Sequence, residues 1–269
     1  MHERLFQLTP EEVALHPPLY NYHTHNYLCR HATGTVSDYV EEAVRTGFSR
    51  IGISDHLNNP GYETYLDFSR MKEEYLPQFA PAYEAYGNQI SIFKGGEIEY
   101  LPGNEDYYAK LSEELDYLVL GEHFFRYKGN DVNSFTECQN EDTVLAYFDT
   151  LIQGVASGYF CILAHPSCPF CSQKEVTPRI QRISEELVLA CKESGVKVEL
   201  NANGPRQSRP YPQEYMIDLC LKHRVPVTVG SDAHNPAYLR DEYEKMTYAY
   251  ACLSGLCHDE GFIPWKKER

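Results

Sequence analysis

Apolar residues in this chain come in short runs, and each run is followed by a stretch with helical spacing. LYNYHTHN (19–26) reads as a strand, and TVSDYVEEAVRTG (35–47) as a helix closed by Gly47. RIGISDHL is a second strand, with a long amphipathic stretch from Asp67 to Tyr86 behind it. ISIFKGGEIEY and DYLVLGEHFF are a third and fourth, followed by helices over EDYYAKLSEEL and EDTVLAYFDTLIQGVASG. FCILAHPS, VKVELNANG and VPVTVGSDAH complete seven, with helices in TPRIQRISEELVLACKESG, PQEYMIDLCLKHR and YLRDEYEKMTYAYACLSG. The strands are rich in Val, Ile and Leu and do not alternate cleanly. Strands of that kind are covered on both faces, so the pattern predicts a parallel sheet with helices outside. With no linker or composition break, residues 1–269 read as one α/β domain. Seven units close a barrel or lie as an open doubly wound sheet, and periodicity fits both.

Polar residues mark where these strands stop. The first ends in His23 and His25, with His31 a short loop later. The second ends in Asp55 and His56, the third in Glu97, the fourth in His123 and the fifth in His165. The sixth ends in Glu199 and Asn201, and the seventh in Asp232 and His234. In parallel α/β folds the carboxyl ends of the strands form one rim, where active sites are built. One such histidine is ordinary; seven strand ends all carrying His, Asp or Glu is a pattern that core packing disfavours. Neutral imidazole with carboxylate suits zinc, manganese or iron, and the absence of thiolates disfavours a structural zinc site. Seven His, one Glu and one Asp fill two or three divalent ions, with Glu97 the natural bridge between two of them.

Charge narrows the partners. There are 39 acidic residues against 24 basic, a net charge of -15, which repels nucleic acid and anionic membranes. A small anionic substrate stays open, because bound cations reverse the local sign. MHERLFQLTPEEV lacks the apolar segment of a signal peptide, and no run is long enough to span a bilayer. Nine scattered cysteines then fit a reduced, cytoplasmic protein. Cys168 and Cys171, in CPFC, have redox or zinc spacing but no second pair to complete a zinc site.

The ordered set HTHNYLCRH, ISDH, KGGEIEY, GEHFF, LAHPS, ELNANG and GSDAH resembles the polymerase and histidinol phosphatase (PHP) family of metal-dependent phosphoesterases, over nearly the whole chain. The resemblance implies a distorted (βα)7 barrel. It also implies three ions: one on His23, His25, Glu97 and Asp232, a second on Glu97, His123 and His165, and a third on His31, His56 and His234. Motif detail is most similar to the small histidinol phosphatases, which implies L-histidinol phosphate as substrate. Ser167 stands where that branch often has aspartate, and Glu122 precedes the fourth-strand histidine.

On this reading a hydroxide bridging two ions attacks phosphorus in line, and the ions neutralise the phosphoryl oxygens. Asp55 protonates the leaving group or orients a neighbouring histidine. Arg206 clamps the phosphate. Glu122 and Glu199 receive the cationic part of the substrate, with Ser167 and Asn201 on the same rim. Residues 60–63 and 127–140 are loops able to cover the site. Two alternatives share the metal site: a phosphoesterase for phosphotyrosine or a nucleotide phosphate, and a non-catalytic metal-binding protein. Nuclease activity fits the ligands but not the charge.

Overall fold

The structure, a computed structural model, describes residue 4 and residues 7–257. Its strands are β1 (Tyr20–Asn21), β2 (Arg50–Ile53), β3 (Ser91–Ile98), β4 (Tyr117–Leu120), β5 (Phe124–Tyr127), β6 (Asn130–Asn133), β7 (Ile162–Leu163), β8 (Lys197–Asn201) and β9 (Val227–Gly230). Seven form one parallel sheet in the order β1-β2-β3-β4-β7-β8-β9, while β5 and β6 make a separate antiparallel hairpin. The sheet's two edges meet beyond β1 and β9. A parallel bridge joins Thr24 to Ala233, and the His25 amide donates to the Ala233 carbonyl at 2.9 Å. The sheet is therefore a distorted seven-stranded barrel, which resolves the choice that periodicity left open. Side chains such as Ile51, Ile53, Leu118, Leu120, Ile162, Val198 and Val229 are buried in it, each stabilising the fold by about 1.5–3 kcal/mol.

The helices are α1 (Pro10–Leu15), α2 (Val36–Thr46), α3 (Phe68–Arg70), α4 (Phe79–Tyr86), α5 (Glu105–Glu114), α6 (Glu141–Ala156), α7 (Pro178–Ser194), α8 (Asn203–Arg206), α9 (Glu214–His223) and α10 (Glu242–Leu253). Helix α2 starts where Thr35 and Asp38 form a capping box and stops where Gly47 takes a left-handed φ of 86°. Its buried face is Val36, Tyr39, Val40 and Ala43, the spacing of one helical stripe.

Three expectations change. The stretch from Asp67 to Tyr86 is not one helix: α3 runs into a π turn at Met71–Tyr75 and a 3-10 turn at Leu76–Gln78 before α4. Pro77 cannot donate to a helix ladder, and the extra residue in the π turn keeps Met71, Tyr75 and Phe79 all facing the core. The fourth strand stops at Leu120, and Phe124 and Phe125 belong to the hairpin. That hairpin occupies much of the segment expected to be a loop at 127–140. Helix α1 was not anticipated, although its Thr9–Glu12 capping box is written in TPEE.

Candidate metal centre

Glu97 ends β3 fully buried, and five imidazoles surround its carboxylate. The distances to Oε1 are 3.4 Å from His23 Nε2, 3.5 Å from His123 Nε2 and 3.0 Å from His165 Nε2. Oε2 lies 3.5 Å from His25 Nε2 and 3.0 Å from His56 Nδ1. Asp232 Oδ1 closes the other side, 3.3 Å from His25 Nε2 and 3.4 Å from His234 Nδ1. His31 extends the cluster outward, its ring centroid 5.2 Å from that of His56 and 4.7 Å from that of His234. All nine expected ligand side chains thus meet at one mouth.

The backbone is shaped around this cluster. A Cβ at Gly121 would collide with the Glu97 carboxylate, and one at Gly230 with Glu199. His165 and Asp232 hold left-handed φ angles of 31° and 48°, which non-glycine residues adopt at a cost and which gather at functional sites.

Most of the rings are gripped from behind. His23 Nδ1 lies 2.7 Å from Glu199 Oε1, and His123 Nδ1 lies 3.1 Å from Glu99 Oε1. His25 Nδ1 is approached by Asp55 Oδ1 at 3.5 Å. His165 Nδ1 meets Cys168 Sγ at 3.2 Å. His31 and His234 point Nδ1 at the carbonyls of Cys29 and Asp232, at 2.8 and 3.1 Å. A ring held at Nδ1 presents Nε2 with its lone pair forward, the state a metal requires. His56 is the exception, with Nδ1 turned towards Glu97.

The forward atoms fit cations. His23 Nε2 and His25 Nε2 are buried without a hydrogen-bond partner, an arrangement that costs free energy unless something polar fills the space. Burial would raise the Glu97 and Asp232 carboxyls, yet the facing imidazoles hold both well below the carboxylate range. Burial would also lower His23, but Glu199, Glu97 and Asp232 outweigh it and hold it well above its usual value. His25 and His56, crowded by other imidazoles as well as buried, are pushed down to about 3. Five triplets here bring ligand atoms within 4.8 Å of one another, among them His23–His25–Asp232, His23–Glu97–His165 and His56–Glu97–His123.

The expected substrate side chains are placed differently. Arg206 is committed to structure: Nε donates to Asp241 at 2.7 Å, Nη1 to the Ser231 carbonyl at 2.9 Å, and its plane covers the Tyr238 ring. It is not poised to clamp phosphate. Glu122 is fully buried, accepts from the Tyr100 amide at 2.9 Å, and is raised well above the carboxyl range by desolvation. Glu199 Oε2 accepts from the His165 amide, so this carboxylate braces two histidines of the cluster rather than facing the rim. Asn201 Nδ2 donates to Glu199 and to Asp232, and Ser167 is buried beneath the Gln213 amide. Asp55, at 0% exposure, is behind His25 and accepts from the His56 amide at 2.9 Å. Burial raises it to about 6, and its position is that of an orienting group rather than a proton donor at the rim.

Glu99 and Cys168 were missed as partners of His123 and His165. Glu99 was legible in principle, since it stands two residues beyond Glu97 and so on the same side of the chain. Cys168 was noticed for its CPFC spacing, and neither that motif nor any other cue pairs it with His165.

By class, the protein is a seven-unit barrel whose carboxyl-end mouth carries a histidine–carboxylate centre. The PHP domain model matches residues 21–203, and the chain belongs to the PHP domain family. It is 28% identical over 227 residues to a protein of Deinococcus radiodurans named "Probable histidinol-phosphatase", covering 80% of this chain and 85% of the relative. It is 22% identical over 260 residues to the histidinol-phosphatase of Bacillus subtilis, covering 82% and 96%. Among solved structures, histidinol phosphate phosphatase from Lactococcus lactis, complexed with zinc, L-histidinol and phosphate, superposes with a TM-score of 0.69. The match spans 89% of this chain and 94% of that one at 15% identity, and it speaks for the fold.

Proposed function

We propose that this chain is a metal-dependent phosphatase of small phosphate monoesters, with L-histidinol phosphate as its substrate. The observation that carries the reading is the ring of five imidazoles about the Glu97 carboxylate, with buried donor atoms left unpartnered. The names of the relatives supply the substrate.

His23, His25, Glu97 and Asp232 hold one divalent ion, Glu97, His123 and His165 a second, and His31, His56 and His234 a third, with two or three filled. Manganese, zinc and iron all suit these nitrogen and oxygen donors. Bound ions make water a strong nucleophile near neutral pH and neutralise phosphoryl oxygens. The chain's own part is orientation. Glu199 and Glu99 orient His23 and His123 through Nδ1, Asp55 lies 3.5 Å from His25 Nδ1, and Asn201 and Asn203 hold Asp232 at 3.3 and 3.1 Å. In the reaction water adds to phosphorus through a new P–O bond and the ester P–O bond breaks. The proton lost by water is balanced by the one gained by the departing alcohol.

The test is elemental analysis of the purified protein together with kcat/KM on L-histidinol phosphate, phosphotyrosine, a nucleoside monophosphate and p-nitrophenyl phosphate. Bound metal with highest turnover on L-histidinol phosphate is expected. Bound metal without hydrolysis of any ester would leave a binding protein instead.

A further inference from the structure

Of the cluster's imidazoles, six are backed at Nδ1 by a carboxylate, a thiol or a carbonyl. His56 is not. It turns Nδ1 forward, 3.0 Å from Glu97 Oε2, and among the described residues no hydrogen bond holds its Nε2.

Stacking fixes this ring instead. His25 covers one face, with centroids 4.2 Å apart and planes at 25°. Tyr65 covers the other, at 4.6 Å and 22°. His25 and Tyr65 make no ring contact with each other, which places them on opposite faces of His56. Near-parallel rings at such separations attract, and each blocks the ring between them from tilting.

Tyr65 is itself firmly set. It belongs to LNNPGYETYL (57–66), a segment that begins and ends on a buried leucine. A parallel bridge pairs Leu57 with Leu66, and the Asn58 amide donates to the Leu66 carbonyl at 2.7 Å. Gly61 turns the segment with a left-handed φ of 89°. Asn58 Oδ1 accepts from the Tyr65 amide at 2.8 Å, and Arg70 Nη1 donates to the Tyr65 carbonyl at 3.2 Å. One further link reaches the stacked residue directly: the Leu66 amide donates to the His56 carbonyl at 3.3 Å. The same short segment thus carries both the histidine and the ring that covers it.

The two nitrogens of an imidazole point in different directions, so the attitude of the ring decides which one a metal meets. With its plane held between two rings, His56 presents the edge that carries Nδ1. To present Nε2 it would have to swing through the space that Tyr65 fills. We infer that Tyr65 is a positioning residue for the metal centre, its ring holding His56 so that Nδ1 rather than Nε2 faces the ion. The inference rests on the metal-binding reading above and adds how the one ligand without a hydrogen-bonded brace is aimed. Tyr65 acts through its face, so its hydroxyl is dispensable for this role.

Imidazole nitrogen NMR of zinc-loaded protein carrying isotope-labelled histidine reports which nitrogen of each ring is metallated, and the His56 signals are those missing from His56→Gln. Wild type is expected to show His56 metallated at Nδ1. Tyr65→Phe keeps the ring and keeps this signature. Tyr65→Ala and Tyr65→Leu move it to Nε2 or lose it. Both also weaken zinc binding by about threefold to tenfold against a competing chelator, the scale of one aromatic pair. Tyr65→Leu retains apolar volume without a flat ring, so it decides alone if Tyr65→Ala does not fold. His56 metallated at Nε2 in wild type, or at Nδ1 with unchanged affinity in every folded variant, would overturn the inference while leaving the metal-binding reading intact. A wild type that takes up no zinc would instead remove the reading beneath it.

Discussion

His23 and His25 lie at the floor of the mouth, fully buried, each backed by a carboxylate from a different strand end. His31 and His234 stand at its lip, where His31 is exposed and the His234 side chain keeps 21% of its surface. Each of these outer rings leans on a carbonyl two residues earlier in its own loop. The floor is thus braced by long-range contacts in a water-poor setting, where electrostatic attraction is strong. The lip is braced locally and in contact with solvent, where the same attraction is screened. An ion at the floor should bind tightly and support the chemistry. An ion at the lip should exchange readily.

The largest effect should come from the carboxylate at the floor's centre. Glu97→Gln is expected to lose bound metal and at least about a hundredfold in kcat/KM, the scale of removing one electrostatic group from a reaction centre. Circular dichroism should show the fold retained; unchanged metal content would refute the bridging assignment. Next is the brace rather than the ligand. Glu199→Gln should weaken metal binding about ten- to hundredfold, read by titration against a competing chelator, and a wild-type titration curve would return Glu199 to a passive role. At the lip, His31→Ala should lower the metal content by a single equivalent and leave the floor ions in place. Dialysis of wild type against a mild chelator should remove the same equivalent first, and simultaneous loss of all metal would erase the distinction between floor and lip.

The last effect lies away from the mouth and touches stability rather than metal or turnover. Glu244 is buried, accepts from Asn21 Nδ2 and the Arg240 amide, and is raised by desolvation from 4.5 to about 7. Because its folded pKa exceeds its unfolded one, its contribution is fully present below pH 4.5 and is lost as pH rises through 7. The loss amounts to up to about 3 kcal/mol. Subtracting the stability of Glu244→Gln from that of wild type between pH 4.5 and 8 should reveal this slope. A flat difference would mean that Glu244 is ionised in the fold at no cost.

Much of this was legible along the chain. Seven apolar runs gave seven barrel strands, because a strand buried on both faces needs continuous Val, Ile and Leu whatever its neighbours are. That these nine side chains would gather was legible because chemistry-bearing side chains at strand ends have no packing reason to be there. Local breaks were harder: Pro77 was visible, but the π turn that restores the phase before it depends on Tyr75 reaching the Ile53 and Gly95 carbonyls at 2.7 and 3.0 Å. The rim was harder still. Arg206, Glu122, Ser167 and Asn201 stand at the right sequence positions for substrate contact, yet their side chains turn inward to partners that only the closed barrel brings near.

By itself the sequence determined the element order, the parallel sheet and which residues surround the centre, since these follow from period, propensity and the siting of polar groups within single segments. Closure of the sheet between Thr24 and Ala233, the pairing of each imidazole with its brace, and the placing of Glu99 rather than Glu122 against His123 Nδ1 were decided by the tertiary structure alone. Each is a contact between residues far apart in the chain, and a one-dimensional pattern holds no distance or direction from which to read it.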